Sequence, residues 1–152
     1  MLKSYTILVF LLILPFQLWA SYDIENAYPA PELKPNDVVR LQLLAMQQND
    51  DSDFGIEVTF RFASPSNKIQ TGPLKRFIRL VRNPSYLPLL NHTNATFLEL
   101  TVEEDFAVQD VIITTSKGER IGYRFQLSIQ KGTLYPGCWM TDSVVPFMVM
   151  EV

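Results

Sequence analysis

Apolar residues recur along this chain with two different periods, and the change from one to the other divides it. Val38, Leu41, Leu44 and Ala45 follow helical spacing, with Gln42 and Gln47 on the opposite side. That pattern predicts a helix over 37–48. Asn36 suits its N-cap, and Asp37 sits in the first turn, where a negative charge complements the helix dipole. Over 54–62 the pattern supports two readings. Phe54, Ile56, Val58, Phe60 and Phe62 alternate strictly with polar or small residues, as in a half-buried strand. Phe54, Val58 and Phe62 also lie at i, i+4 and i+8, as along one helical face. Ser64-Pro65-Ser66-Asn67 breaks the chain, and Pro73 then opens a helix that carries Leu74, Phe77, Ile78 and Val81 on one side. Asn83-Pro84 stops it, and residues 86–90 fit a single helical turn.

Beyond Asn91 the period shortens to two. Strands are predicted over 96–102, 106–115, 120–130 and 138–145, with Lys117-Gly118, Lys131-Gly132 and Pro136-Gly137 as turn signals. In the third of these, Ile121, Tyr123, Phe125, Leu127 and Ile129 form one apolar face against Arg120, Gly122, Arg124, Gln126, Ser128 and Gln130. Helices first and hairpin-joined strands afterwards predict an α+β fold with an antiparallel sheet. The one-sided pattern places the helices on a single face of it.

The first twenty residues differ from all of this. Lys3 is their only charge, Ile7 to Phe16 is an almost unbroken apolar run, and Ala20 precedes the polar Ser21-Tyr22-Asp23. This is the layout of a cleaved export signal over 1–20; the run is shorter than the roughly 20 residues of a membrane-spanning helix. The expected organisation is therefore signal 1–20, an extended proline-bearing leader 21–35, and one domain over 36–150. Cys138 is the only cysteine, so no internal disulfide forms and the core must hold the fold. Export without disulfides suggests a periplasm or organelle lumen, with the extracellular space as a further destination. Removing the signal leaves 12 basic against 16 acidic groups, a net charge of −4. A nucleic-acid partner would call for a basic excess.

Several blocks resemble the bacterial and plastid family called domain of unknown function 4864. They are Asp37-Val38-Val39-Arg40-Leu41-Gln42-Leu43-Leu44, Phe60-Arg61-Phe62-Ala63-Ser64-Pro65-Ser66-Asn67, Thr71-Gly72-Pro73-Leu74 followed by Arg76-Phe77, and Gly137-Cys138-Trp139-Met140-Thr141-Asp142. Between the last two, Leu80-Val81-Arg82, Pro84, Tyr86, Pro88-Leu89-Leu90 and His92 keep the same order. The family is similar in build to the nuclear-transport-factor-2-like fold. The resemblance thus implies a cone of three N-terminal helices packed in a strongly bent four-stranded antiparallel sheet. It makes residues 53–63 the second helix. It also implies a pocket lined by Phe62, Phe77, Tyr123, Phe125 and Trp139, and a homodimer through the outer sheet face.

The fold does not supply a function by itself. His92 is the only histidine and titrates near neutral pH, which suits a general base. Asp142, expected on the same face as Cys138 and Met140, could serve as its acid partner inside the cone. Cys138 reads as a small core residue. Lys75, Arg76, Arg79 and Arg82 crowd the polar side of one helix and could hold an anion or an acidic partner, or simply form its wet face. Asn91-His92-Thr93 and Asn94-Ala95-Thr96 match the glycosylation sequon. No phosphate-cradling glycine loop, zinc spacing or triad motif occurs, so no cofactor and no metal are expected. The leading expectation is a non-catalytic module that binds a protein partner or a small apolar ligand. The alternative is a cofactor-free lyase or isomerase using Asp142 and His92.

Overall fold

The computed structural model describes residues 23–150; the expected signal lies outside the described residues. Four helices come first: α1 (Pro35–Gln47), α2 (Phe54–Arg61), α3 (Pro65–Thr71) and α4 (Leu74–Val81). A 3-10 turn, Leu87–Leu89, leads into strands β1 (Asn94–Glu103), β2 (Phe106–Thr114), β3 (Arg120–Ile129) and β4 (Trp139–Met148). The strands pair in sequence order, all antiparallel. The α+β expectation with a four-stranded sheet is met, but there are four helices among the described residues rather than three.

The additional helix is α3, and its start is the very Ser-Pro-Ser-Asn stretch that reads as a break. Ser64 is its N-cap, with the hydroxyl accepting from the Asn67 amide at 3.2 Å, and Pro65 occupies the first turn. Both residues are favoured there because the opening amides of a helix lack internal partners. None of its residues is buried, so it has no apolar stripe to read. The first helix begins at Pro35, earlier than Asn36 suggests, because Asp37 reaches back to accept from the Lys34 amide at 3.0 Å.

Residues 54–61 are helical despite their alternation. Ile56, Val58 and Phe62 are fully buried, while Gly55 lets α2 close on α1: a Cβ there would stand 2.0 Å from the Ala45 carbonyl oxygen. The stretch ahead of α1 has no helix or strand, yet it packs on the fold. Ala27 is buried, Ile24 and Leu33 lie against the core, and the Arg61 guanidinium donates to the carbonyls of Glu25 (3.0 Å) and Ala27 (3.3 Å).

The core forms between the helices and one face of the sheet. Val38, Val39, Leu43 and Met46 of α1 join Val111, Ile113, Tyr123, Phe125 and Leu127 of β2 and β3. Full burial of each such side chain contributes about 1.5–3 kcal/mol. Two irregularities interrupt the sheet, one between Phe97 and Leu100 of β1 and one on β4 opposite Gln126 and Leu127. Bulges of this kind bend a strand and increase its twist. In β1 the displaced Leu98 carbonyl accepts from the buried Gln109 side chain at 2.8 Å. On the outer face, Arg124 makes a two-point ion pair with Asp110 at 2.8 Å per bond.

Candidate functional site

The mouth of the space between helices and sheet remains open as a cavity of about 290 Å³. Met46, Phe77, Leu80, Val81, Leu89, Phe125 and Val144 give it apolar walls. Gln42, Thr59, Asn67, Thr141 and Tyr86 contribute neutral polar groups, and Asp142 contributes a carboxyl.

Most of those polar groups are already engaged. Thr141 donates its hydroxyl to the Gln42 side-chain oxygen at 2.7 Å. Gln42 in turn donates from Nε2 to the Thr59 carbonyl at 3.1 Å, and the Thr59 hydroxyl lies 2.9 Å from the Gly55 carbonyl and 3.2 Å from that of Gln42. The Thr141 backbone ties the same region to the helices. Its amide donates to Phe62 O (2.9 Å), and its carbonyl accepts from Ser64 N (2.8 Å) and Asn67 Nδ2 (3.0 Å). Gln42 and Thr141 are each 2% exposed, so these bonds form away from water. The Tyr86 hydroxyl donates to Val144 O at 3.0 Å.

Of the residues expected to line the pocket, Phe77 and Phe125 do so. Phe62 and Tyr123 are instead fully buried in the core, and Trp139 packs half-buried against it. Tyr123 donates its hydroxyl to Ser85 O at 2.8 Å. Burial, reinforced by the neighbouring Tyr86, pushes its phenol up to about 12.

Asp142 borders the cavity by a different route from the expected one. Met140 pairs with Ser128, Thr141 with Leu127 and Ser143 with Gln126, so Asp142 is the extra residue of the β4 bulge. The simple alternation that would group it with Cys138 and Met140 ends there. It also borders a second depression beside Ser128, Gln130 and Leu134. Among the described residues it has no hydrogen-bond or ion-pair partner.

His92 lies elsewhere. It precedes β1, is 4% exposed, and its Nδ1 stands 2.8 Å from the Leu89 carbonyl, so Nδ1 carries the proton. Removal from water holds the imidazole below its ordinary pKa. β1 and β4 are opposite edges of the sheet, and Asn94 aligns through Thr114 with Arg120, whereas Asp142 sits beside Gln126. With strands about 4.8 Å apart and about 3.3 Å per residue, the separation is roughly 14 Å across the sheet and roughly 20 Å along it. The structure does not bring Asp142 and His92 together around one substrate atom.

Lys75, Arg76 and Arg79 are exposed on α4 and have no hydrogen-bond or ion-pair partner among the described residues. Arg82 differs, pairing with Asp53. Cys138 is buried; loss of water, and after it the charge of Glu32, raises its thiol pKa, which keeps it protonated at neutral pH. The Asn91 side chain caps the end of α1, donating to Gln47 O (3.2 Å) and Asn49 O (2.8 Å). Asn94 donates only to Thr96 Oγ1, at 3.3 Å. Among the described residues no group of three or more His, Cys, Asp or Glu side chains gathers as for a metal ion.

Sequence reasoning missed the Gln42–Thr59–Thr141 network. Gln42 was expected on the polar side of α1, but α1 is buried over most of its circumference. The available signal was its position, four residues from Val38 and three from Ala45.

Fold and site together define an α+β protein whose helices and sheet enclose a small, largely apolar cavity. The chain belongs to the family described as Domain of unknown function (DUF4864), whose family model matches residues 30–145. No curated protein and no solved structure matches it.

Proposed function

We propose that this protein is a binding module whose cavity takes a small, mostly apolar ligand. The carrying observation is the cavity itself: about 290 Å³, apolar on most sides, with its buried amide and hydroxyl groups tied into the fold. Pockets for drug-sized ligands begin at about 300 Å³, so the occupant is small. At about 30 Å³ per water-sized group, it has on the order of ten non-hydrogen atoms. The architecture is proposed as nuclear-transport-factor-2-like. Its support is the row of helices ahead of an antiparallel meander, with irregularities in both edge strands of the kind that favours bending.

The test is a methyl-detected NMR titration with 1-hexanol. Signals from Met46, Leu80, Val81, Leu89 and Val144 should shift together and saturate, while Val108 and Ile112 on the outer sheet face stay still. Linear, unsaturated shifts across the whole molecule would remove the reading.

A second surface is favoured by the three unpaired cations of α4, Lys75, Arg76 and Arg79, which suit an acidic protein partner. Export to a periplasm, organelle lumen or extracellular space is proposed from the apolar N-terminal run and the small residue at Ala20. A homodimer through the outer sheet face belongs to the same proposal. Among the described residues no helix is long and apolar enough to cross a membrane.

A further inference from the structure

We infer that the cavity selects a small apolar cation, an amine with a short hydrocarbon body whose ammonium group pairs with Asp142. This rests on the cavity being a ligand site, as proposed above, and adds the chemical class of ligand.

The charge balance of the lining carries it. Asp142 is the one carboxyl group among the lining residues, and no Lys, Arg or His lines the cavity with it. A group of one sign with no internal counterpart leaves that role to the occupant. The bulge supplies the placement: by adding a residue to β4, it removes Asp142 from the regular ladder, and re-aiming a side chain is what bulges beside binding sites do. Asp142 is half-buried and has no partner among the described residues.

The neutral groups point the same way. The fold draws on the lining donors, Gln42 Nε2 bonding Thr59 O, Thr141 Oγ1 bonding Gln42 Oε1 and Asn67 Nδ2 bonding Thr141 O, so only neutral amide N–H groups, that of the exposed Gln70 among them, are left for an anion. A carboxylate ligand would find no cation in the lining and would meet Asp142 as a like charge. A neutral alcohol would gain the apolar walls but only a neutral donor's bond to Asp142. An alkylammonium gains both walls and charge, because it adds the attraction of opposite charges to the hydrogen bond that an alcohol can also make.

The probes are hexylammonium, 1-hexanol and hexanoate, which share one hydrocarbon body and differ in head-group charge. Each is titrated calorimetrically into the purified protein and into its Asp142→Asn variant. The expected order is hexylammonium about tenfold tighter than 1-hexanol, the attraction of opposite charges making the difference, with hexanoate weakest. In Asp142→Asn the preference should vanish, leaving hexylammonium and 1-hexanol equal within about twofold. Equal affinities in the unaltered protein, or hexanoate binding tightest, would overturn the inference while leaving the cavity reading standing. So would a preference that survives Asp142→Asn. Should none of the three bind, the cavity reading falls and this one with it. The order in the unaltered protein decides alone if the variant does not fold.

Discussion

Removing the Thr141 hydroxyl tests whether the polar network beside the cavity holds helix and sheet together. In Thr141→Val the shape is kept and the 2.7 Å bond to Gln42 is lost, leaving a buried amide oxygen without its donor. An unsatisfied buried acceptor costs about 1–3 kcal/mol, so about 2 kcal/mol is expected. Gln42→Leu strands the Thr141 hydroxyl instead and should cost about as much by the same reasoning. The Thr59 carbonyl keeps a bond from the Phe62 amide at 3.2 Å. The double variant removes both ends at once and replaces them with apolar atoms. Its cost should stay near about 2 kcal/mol rather than rise to about 4, a coupling of about 2 kcal/mol. Domains of this kind have about 5–15 kcal/mol in total, so all three variants should remain folded. Urea unfolding followed by far-ultraviolet circular dichroism gives each value, provided the dependence on denaturant is unchanged. Additivity within about 0.5 kcal/mol would mean that the two side chains do not interact in solution.

Two further changes probe other parts of the fold. Gly55→Ala would improve intrinsic helix propensity by about 1 kcal/mol in an isolated helix, yet its Cβ would stand 2.0 Å from Ala45 O; a net loss of about 3 kcal/mol in urea unfolding is expected from the clash, and a gain would refute the close packing of α1 on α2. His92 titrates below its ordinary value in the folded state because it is buried, so the unfolded chain binds the proton first. Stability should fall as pH drops through about 6.5, its unfolded pKa, and the loss should be complete below the lower folded pKa. Denaturation midpoints measured between pH 8 and pH 4 should show this slope, and His92→Gln should flatten the His-linked part of it, whatever its effect at pH 8.

The sheet was legible because its signals are local and repeated. β3 alternates over its whole length, and its inward residues Tyr123, Phe125 and Leu127 are its buried side chains, flanked by the partly buried Ile121 and Ile129. The helices were legible where an apolar stripe marks them, as in α4. They were not where the chain gives no such stripe: α3 buries nothing, and its Ser-Pro start reads as an ending. In α2 the alternation of Phe54, Ile56, Val58, Phe60 and Phe62 competes with the helical line of Phe54, Val58 and Phe62. What decides is tertiary: Gly55 against Ala45, which no local period encodes.

The site was less legible for a related reason. A period of two places side chains correctly only while the strand keeps register, and the β4 bulge breaks it at Asp142, on which the proposed ligand site depends. Thr141 turns inward to Gln42, Ser143 turns outward to Gln126 at 2.6 Å, and Asp142 between them belongs to neither row. The same residue pattern without the extra residue would set Asp142 opposite a β3 partner. Beside the bulge, Thr141 receives the Phe62–Ser64 segment as a short parallel bridge, which anchors the α2–α3 corner on the edge strand. The insertion itself leaves a carboxyl without a partner where that corner and the sheet meet the cavity. A deletion of Asp142 would keep Thr141 opposite Leu127 and so should keep the anchored corner while removing bulge and charge together, whereas Asp142→Asn removes the charge alone. That difference separates what the bulge does for a ligand from what the charge does.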